Sequence, residues 1–281
     1  MNARALTLRG HMTARRAANS SAMDVAARWG FVARGVIYLL VGILALQIAF
    51  GDGGKQADRG GALAELSEKP MGSVMLWAVG IGLVGMALWR LSEALFGAAG
   101  PDGHKAHKRL LSAGRFLFYG FVAYSVLAFA AGDRSSGGGG GSSDQQSQDI
   151  TARALELPAG QWLVGIGGVG IAVAGIWVGA RAAMRKYHKH LKLGEMSRRT
   201  RQLVDVTGVG GGAARGALFT AIGVFVVRAA VDYEPDKAKG FDDALRSFAD
   251  TPVGPWLLAV IAIGLALFGV FSFAMARWRK V

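Results

Sequence analysis

Apolar residues are concentrated in six long stretches of this chain, and polar segments separate them. Each stretch is about 20 residues long, the length that a helix needs to cross about 30 Å of hydrocarbon. The short alternating strands of a membrane β-barrel are absent from the sequence. The pattern therefore predicts six transmembrane helices, with approximate bounds Phe31–Phe50, Val74–Phe96, Leu111–Ala131, Trp162–Ala180, Ala213–Val231 and Pro255–Ala276.

The composition supports a membrane protein. Hydrophobic residues make up 52% of the 281 positions and charged residues 18%, against about 25% charged residues in ordinary globular proteins. The 42 glycines follow no G-x-y period, which excludes collagen, and the hydrophobicity excludes disorder for most of the chain. Because the chain has no cysteine, a disulfide framework, a thiolate zinc site, an iron–sulfur cluster and a cysteine nucleophile are excluded.

Charged residues divide unequally between the two sides of the predicted membrane domain. The N-terminal tail, the connections after the second and fourth spans and the C-terminus together contain 23 Lys and Arg and 5 acidic residues. The other side contains 9 and 14, so the two sides carry +18 and −5, in agreement with the total of +13. The positive-inside rule then predicts a multi-pass protein of the cell membrane with both termini in the cytoplasm.

The first 27 residues form a basic cytoplasmic tail without an apolar h-region, so the first span is expected to direct insertion itself. The arginines of this tail also fit a nucleic-acid arm or a lipid-binding segment. We interpret them as a topology signal beside a span, and we expect no nucleic-acid partner.

The sequence contains three copies of a unit of two spans. Each odd-numbered span begins with a small residue and an arginine, has an aromatic residue four positions later, and runs to an aspartate. These residues are Arg34, Arg115 and Arg215, then Tyr38, Tyr119 and Phe219, then Asp52, Asp133 and Asp232. Each even-numbered span follows a P-x-G turn and has a glycine twelve residues after the proline. The turns are Pro70–Gly72, Pro158–Gly160 and Pro252–Gly254, and the glycines are Gly82, Gly170 and Gly264.

These repeats predict the fold class, an all-α membrane protein with six transmembrane helices in three parallel two-helix repeats. A unit of two spans returns the chain to its starting side, so successive units are related by a pseudo-three-fold axis along the membrane normal. The predicted units are residues 28–98, 109–184 and 209–279, with a basic cytoplasmic linker at 185–208. Apolar residues at helical spacing before the P-x-G turns predict short interfacial helices on the outer face.

With its arginine and P-x-G signatures, this pattern resembles a bacterial membrane family, the domain of unknown function 1206. The resemblance covers about residues 28–279. It implies a six-helix membrane protein made of three two-helix modules, and it implies no activity.

The three arginines are the candidate functional residues, because ionisable residues within membrane spans are functional candidates by default. If Arg34, Arg115 and Arg215 converge on the axis, their guanidinium groups form a ring suited to phosphate, a carboxylate or another anion. If instead each arginine extends outward to the lipid headgroups, it only fixes the register of its helix. The distance of the arginines from the midplane favours the outward arrangement.

The three repeated glycines, Gly82, Gly170 and Gly264, are predicted to allow close helix packing around the axis. No metal site or cofactor is predicted, because the histidines lack acidic or thiolate partners at suitable spacing. The spans contain no Ser/His pair or paired carboxylates, so we expect no enzymatic activity.

Two functions remain open at this point. The first is a structural or interaction protein whose basic cytoplasmic face contacts the lipid bilayer through anionic headgroups, or contacts a soluble cytoplasmic protein. The second is a small channel or transporter for an anionic solute along the pseudo-three-fold axis. The spans show no break and no charge at the midplane, both of which are common in transporters, so the sequence favours the first.

Overall fold

The computed structural model is helical throughout the residues that it describes, which are 21–51, 55–97, 105–132, 143–249 and 253–280. Nine α-helices occur within these ranges, and six of them are long and apolar enough to cross a membrane. The six are α1 (Ser21–Ala49), α3 (Gly72–Phe96), α4 (Ala106–Ala130), α6 (Gly160–Ala183), α7 (Arg198–Asp232) and α9 (Gly254–Trp278). The short helices are α2 (Arg59–Ser67), α5 (Ser143–Leu155) and α8 (Phe241–Ala249). The prediction of an all-α chain with six helices of membrane-spanning length is therefore confirmed.

Two spanning helices are longer than the apolar pattern predicts. Helix α1 begins inside the predicted tail 1–27, and the 35-residue α7 includes the last part of the predicted linker 185–208. The hydroxyl of Ser197 caps α7 by accepting a hydrogen bond from the backbone N–H of Thr200 at 3.2 Å, and no proline follows before the helix ends. Hydropathy identifies only the apolar stretch of such a helix, so its polar first turns lie outside the predicted bounds. Residues 1–20, Asp52, Asp133 and Pro252 of the predicted pattern lie outside the described residues.

The first two P-x-G turns each join a short helix to the span that follows, and the glycine of the third, Gly254, begins α9. The middle residue is left-handed in the first two copies, with φ 63° at Met71 and 60° at Ala159. A Cβ on the glycine would lie 2.4 Å from the carbonyl oxygen of Leu66 in the first copy, 2.1 Å from that of Ala154 in the second and 1.7 Å from that of Ala249 in the third. No side chain fits at this position, so glycine is required for the sharp entrance into the span.

The six spanning helices pack side by side in an open arc. In spatial order, α4 packs on α3, α3 on α1, α1 on α9, α9 on α7, and α7 on α6. A contact between α4 and α6 would close a ring, but these two helices make no extended contact over their described lengths. The first and third repeats are therefore closed hairpins, α1 with α3 and α7 with α9. The second repeat is open between α4 and α6.

The tightest helix pair in the arc is α6 with α7. A Cβ added to Gly223 would lie 2.3 Å from the backbone nitrogen of Ala172, and one added to Gly175 would lie 2.5 Å from that of Thr220. The two backbones are therefore in van der Waals contact, which is how helices associate in lipid where no hydrophobic driving force exists between them. By contrast, a Cβ at Gly167 of α6 would meet nothing within 4 Å.

The three short helices meet at one end of the arc, which we call the acidic end. Backbone N–H groups at the start of one helix donate to an aspartate at the start of another, and the three bonds form a closed cycle. They run from Ser143 to Asp58 (2.7 Å), from Asp243 to Asp144 (3.0 Å) and from Ala57 to Asp242 (2.7 Å). The three accepting aspartates are buried, and the positive ends of the helix dipoles favour their charge. The cycle joins the three repeats.

We expect Gly223→Val to destabilise the protein by about 1–3 kcal/mol or more, because overpacking forces apart two backbones in contact. Gly167→Val is the matched control, since it adds the same side chain to a spanning helix where space is open. The measurement is the thermal unfolding midpoint of each purified variant in detergent. Equal midpoints for the two variants would contradict the close α6–α7 contact.

A second prediction concerns Asp144 in the aspartate cycle. Burial, together with the charges of Asp243, Asp242 and Asp58, raises the pKa of the Asp144 carboxyl from 3.8 to about 6, although the N–H of Asp243 opposes this. Because the folded state then binds a proton more tightly than the unfolded state, this group's contribution to stability falls as pH rises from about 4 to about 6. The difference in unfolding midpoint between the wild type and Asp144→Asn should shift in favour of the variant across this window. A pH-independent difference would contradict the raised pKa.

Candidate functional site

Five arginines converge at the opposite, basic end of the arc. They come from α1, α3, α4, α7 and the segment after α9, and we call them the arginine cluster: Arg34, Arg90, Arg115, Arg215 and Arg279. Arg34 lies within electrostatic range of Arg215, and Arg279 lies within range of Arg90, Arg34 and Arg115. Elements distant in the sequence thus bring five positive charges into one region.

The aromatic ring of Phe268 on α9 holds two of these arginines. The guanidinium carbon of Arg34 lies 5.1 Å from the ring centre and that of Arg215 lies 5.0 Å from it. The Nε of Arg34 also donates to the hydroxyl of Ser272, a fully buried residue, at 3.1 Å. Cation–π contacts of this kind contribute about 0.5–2 kcal/mol each, with the larger values where water is excluded.

The outward arrangement of the three repeated arginines is therefore wrong for Arg34 and Arg215. Both lie on helix faces that pack against α9, where an aromatic ring and a hydroxyl receive their side chains. Arg115 differs from the other two because it is exposed on α4, the helix with an open flank. It lies within electrostatic range of Arg90 and of Arg181 on α6.

The aromatic residues four positions after the arginines also contact the cluster. Tyr38 packs edge-on against Phe268 with ring centres 4.8 Å apart, and its ring lies 5.7 Å from the guanidinium carbon of Arg215. The Tyr119 hydroxyl lies within electrostatic range of the guanidinium groups of Arg34 and Arg215. Because Tyr119 belongs to α4, this contact shows that the arc curves enough to bring α1, α4 and α7 together.

Glu93 provides the carboxylate of this region. It pairs with Arg90 at 2.6 Å, as their i, i+3 spacing predicts, and it accepts a hydrogen bond from Ser112 of α4 at 3.2 Å. Arg90 is only 6% exposed and lies 4.1 Å above the ring of Trp89. The buried Nε atoms of Arg90, Arg215 and Arg279 have no hydrogen-bond partner. Among the described residues, one carboxylate thus lies with five guanidinium groups, and three donor atoms of these groups are unsatisfied.

The connection between α6 and α7 covers the cluster at the basic end. Its residue Leu191 forms an isolated antiparallel bridge with Arg279 and is 1% exposed. The Leu191 side chain belongs to the same apolar cluster as Phe31, Trp89 and Phe271. We call residues 186–195 the basic-end strap. The strap separates the arginine cluster from the solvent on this side.

The positive potential of the cluster extends to the strap. Burial, followed by the charges of Arg279 and Arg181, lowers the pKa of His190 from 6.5 to about 4. Burial also lowers the pKa of Arg279 to about 9, and Arg90 contributes to this shift. Arg279 therefore remains charged at neutral pH while His190 is neutral.

Two of the three repeated glycines lie at close helix contacts. A Cβ on Gly82 of α3 would lie 3.0 Å from the Cβ of Ala33 on α1, and one on Gly264 of α9 would lie 2.3 Å from the Cβ of Ala214 on α7. The close packing predicted for Gly170 is not present, because a Cβ there would meet nothing within 4 Å. The reason is the open flank of α6, which lacks a neighbouring helix.

A second group of ionisable residues lies at the acidic end, where ligand atoms of Asp144, Asp242 and Asp243 lie within 4.8 Å of one another. Asp144 and Asp242 already accept backbone N–H bonds in the aspartate cycle. Their geometry serves helix capping.

The sequence identified Arg34, Arg115 and Arg215, but it did not identify Phe268, Ser272 and Arg279. Phe268 and Ser272 lie within an unbroken apolar helix, where spacing does not distinguish a residue that binds an arginine from a core residue. Arg279 carries no repeat signature. Its bridge to Leu191 and the contacts of its guanidinium carbon with the rings of Phe31 (5.1 Å) and Trp89 (4.7 Å) place it at the cluster.

We expect Arg279→Gln to raise the pKa of His190 above its value of about 4. The shift should stop short of the ordinary value, because burial is the larger cause and remains. An NMR titration of histidine-labelled protein, assigned with His190→Gln, measures the change. Arg277→Gln is the control, since that arginine is exposed and two residues away. Identical titrations of the two arginine variants would contradict the positive potential at His190.

Comparisons with known proteins agree with this architecture. A family model described as Domain of Unknown Function (DUF1206) matches residues 29–97, 112–185 and 210–279. These segments coincide with the helix pairs α1–α3, α4–α6 and α7–α9. The "Uncharacterized protein YxxB" of Bacillus subtilis (strain 168) is 34% identical over 250 residues, which cover 87% of each chain. No solved structure matches the chain significantly. Three tandem matches and this full-length relative show that the chain belongs to the DUF1206 family, as its repeated arginine and P-x-G motifs predict.

Proposed function

We propose that this protein is a bacterial cell-membrane protein that binds an anionic group in the arginine cluster. The observation that carries the proposal is the convergence of Arg34 and Arg215 on Phe268, with no carboxylate of the described residues between them. Like charges in a low-dielectric interior repel one another, and unsatisfied buried donors are costly. A bound anion would relieve both, since it would attract the guanidinium groups and accept hydrogen bonds from them.

The proposed orientation places the basic end in the cytoplasm. It rests on the 23 Lys and Arg on that side against 9 on the other. The short helices α2, α5 and α8 would then lie at the outer interface. The cyclic aspartate bonds between them, one from each repeat, support an underlying pseudo-three-fold relation. The open α4–α6 flank departs from that symmetry.

A binding role fits the helices better than conduction does. The six spanning helices are continuous, whereas transporters typically bind their substrates at broken helices near the midplane. The cluster supplies positive charge and hydrogen-bond donors, and its described side chains include no nucleophile–base pair, so we propose no catalytic role. The earlier interaction hypothesis is retained in a narrower form. The basic face and the cluster together hold anionic groups at the cytoplasmic surface, and an additional soluble partner is not needed to explain the site.

The test uses pyrophosphate and phosphate as probes, added to the purified protein in uncharged detergent at constant ionic strength. We expect either anion to raise the unfolding midpoint of the wild type, because a ligand that binds only the folded state stabilises it by about 2.7 kcal/mol at a 100-fold excess over Kd. The double variant Arg34→Gln/Arg215→Gln should lose this response. Arg201→Gln is the matched control, because it removes an exposed arginine from the same basic end of α7.

The control variant should respond as the wild type does. A response that persists undiminished in the double variant would show that the anions act at the exposed basic surface, and would refute binding in the cluster. No response in the wild type would refute it as well.

A further inference from the structure

The open flank between α4 and α6 is not caused by bulky side chains. In the two closed hairpins, Gly82 approaches Ala33 and Gly264 approaches Ala214. The corresponding residues of the second repeat are both glycines, Gly170 on α6 and Gly114 on α4. A Cβ at either one would meet nothing within 4 Å. The repeat therefore places small residues where the helices could meet, and the structure leaves a gap between them.

The two helices that border this gap expose large apolar side chains. Helices α4 and α6 bury the smallest shares of the six spans, 28% and 17% of their most apolar windows. Exposed side chains include Leu117, Phe121 and Tyr124 on α4 and Ile166, Val173 and Trp177 on α6. Surfaces of this chemistry are solvated by acyl chains in a bilayer.

Positive charges lie at the basic end of the same gap. Arg115 of α4 and Arg181 of α6 are both exposed, and each lies within electrostatic range of the other. Lys186 is next to them, with its ammonium 5.6 Å from the Trp177 ring. Farther inside lies Arg90, 6% exposed and with an unsatisfied Nε. A molecule in the gap would therefore meet apolar surface along much of its length and several guanidinium groups at the basic end, in addition to the Arg59 guanidinium, which lies 5.9 Å from the Phe121 ring.

The strap covers the arginine cluster at the basic end. The gap between α4 and α6 is therefore the more open approach to the cluster. Leu191 is buried among Phe31, Trp89 and Phe271 at the basic end, whereas α4 and α6 do not pack on each other along the membrane-spanning part. A ligand that is itself dissolved in the bilayer reaches the arginines without displacing the strap.

We propose that the gap between α4 and α6 is the binding site of one anionic glycerophospholipid. Its acyl chains lie along α4 and α6, and its phosphate contacts Arg115 and reaches toward Arg34 and Arg90. The argument for this occupant is charge complementarity, because Glu93 is the one carboxylate that the described part of the chain places among the five clustered arginines and Arg181. The inference rests on the proposed function, and it names the bound anion as the headgroup phosphate of a lipid.

The test is native mass spectrometry of the full chain in uncharged detergent with added phosphatidylglycerol or phosphatidylcholine. We expect the wild type to retain one phosphatidylglycerol and to prefer it to phosphatidylcholine by about tenfold or more, because both lipids carry a phosphate but the arginines repel the ammonium group of choline. The variant Gly114→Leu/Gly170→Leu places two large side chains in the gap between α4 and α6, and we call it the seam-filling variant. Its retention of phosphatidylglycerol should be about tenfold weaker than that of the wild type. Its response to pyrophosphate in the unfolding assay should remain, because its arginines are intact.

Two further variants keep the test decisive if the seam-filling variant does not fold. Arg115→Gln should weaken phosphatidylglycerol retention by about tenfold. Ala217→Leu, which adds bulk at an exposed position of α7 away from the gap, should leave retention unchanged.

Several outcomes would overturn the inference. Equal retention of the two lipids, or retention of phosphatidylglycerol by a folded seam-filling variant, would show that the gap is not the site. Stabilisation by pyrophosphate without lipid retention would assign the cluster to a soluble anion, so the proposed function would stand and this inference would fail. A lipid-free dimer that the seam-filling substitutions dissociate would assign the gap to a second copy of the chain.

Discussion

The contact of Arg34 and Arg215 with the single ring of Phe268 is the interaction on which the basic end of this protein depends. It joins α1 and α7, the first helices of repeats one and three, to α9. Two guanidinium groups at one ring attract its face but repel each other. The surrounding structure lessens that conflict, because the Ser272 hydroxyl accepts a hydrogen bond from Arg34 and the strap covers the cluster on one side. The hydrogen-bond donors that remain unsatisfied are the reason that we propose an anion-binding site at this end.

The two ends of the arc bury charged side chains in different surroundings. At the acidic end, carboxylates are buried against backbone N–H groups of three helix starts, so every accepting aspartate in the cycle has a donor. At the basic end, arginines are buried against aromatic rings, which attract cations but leave N–H groups without acceptors. In the first arrangement, each aspartate of the cycle is matched to a backbone N–H donor of the chain, although burial and the neighbouring carboxylates raise the pKa of Asp144. We propose that the second requires a negative partner, and this difference is the reason that we place the binding site at the basic end.

The inequality of the three repeats has a physical origin in helix packing. Small residues occur at the inner positions of all three hairpins, but α6 uses its glycine-rich face against α7 rather than against α4. The two helices of the second repeat therefore pack mainly on helices of the neighbouring repeats, α4 on α3 and α6 on α7. They do not pack on each other. In lipid such a separation costs little, because acyl chains solvate the exposed apolar faces about as well as a neighbouring helix does. A lateral opening is thus compatible with a stable bundle.

The sequence by itself determined the class, the six spans, the three-fold repetition and the separation of charge between the two sides, because hydrophobic length, motif spacing and Lys/Arg counts are local properties. It also identified Arg34, Arg115 and Arg215 as special. It did not determine their direction: Arg34 and Arg215 turn inward because α9 presents Phe268 and Ser272 to them, and contacts between helices more than fifty residues apart leave no periodic signal. The openness of the second repeat, with Gly114 and Gly170 unpacked, was likewise decided only by tertiary structure. Identical small residues permit a close contact, and competition among neighbouring helices decides whether it forms.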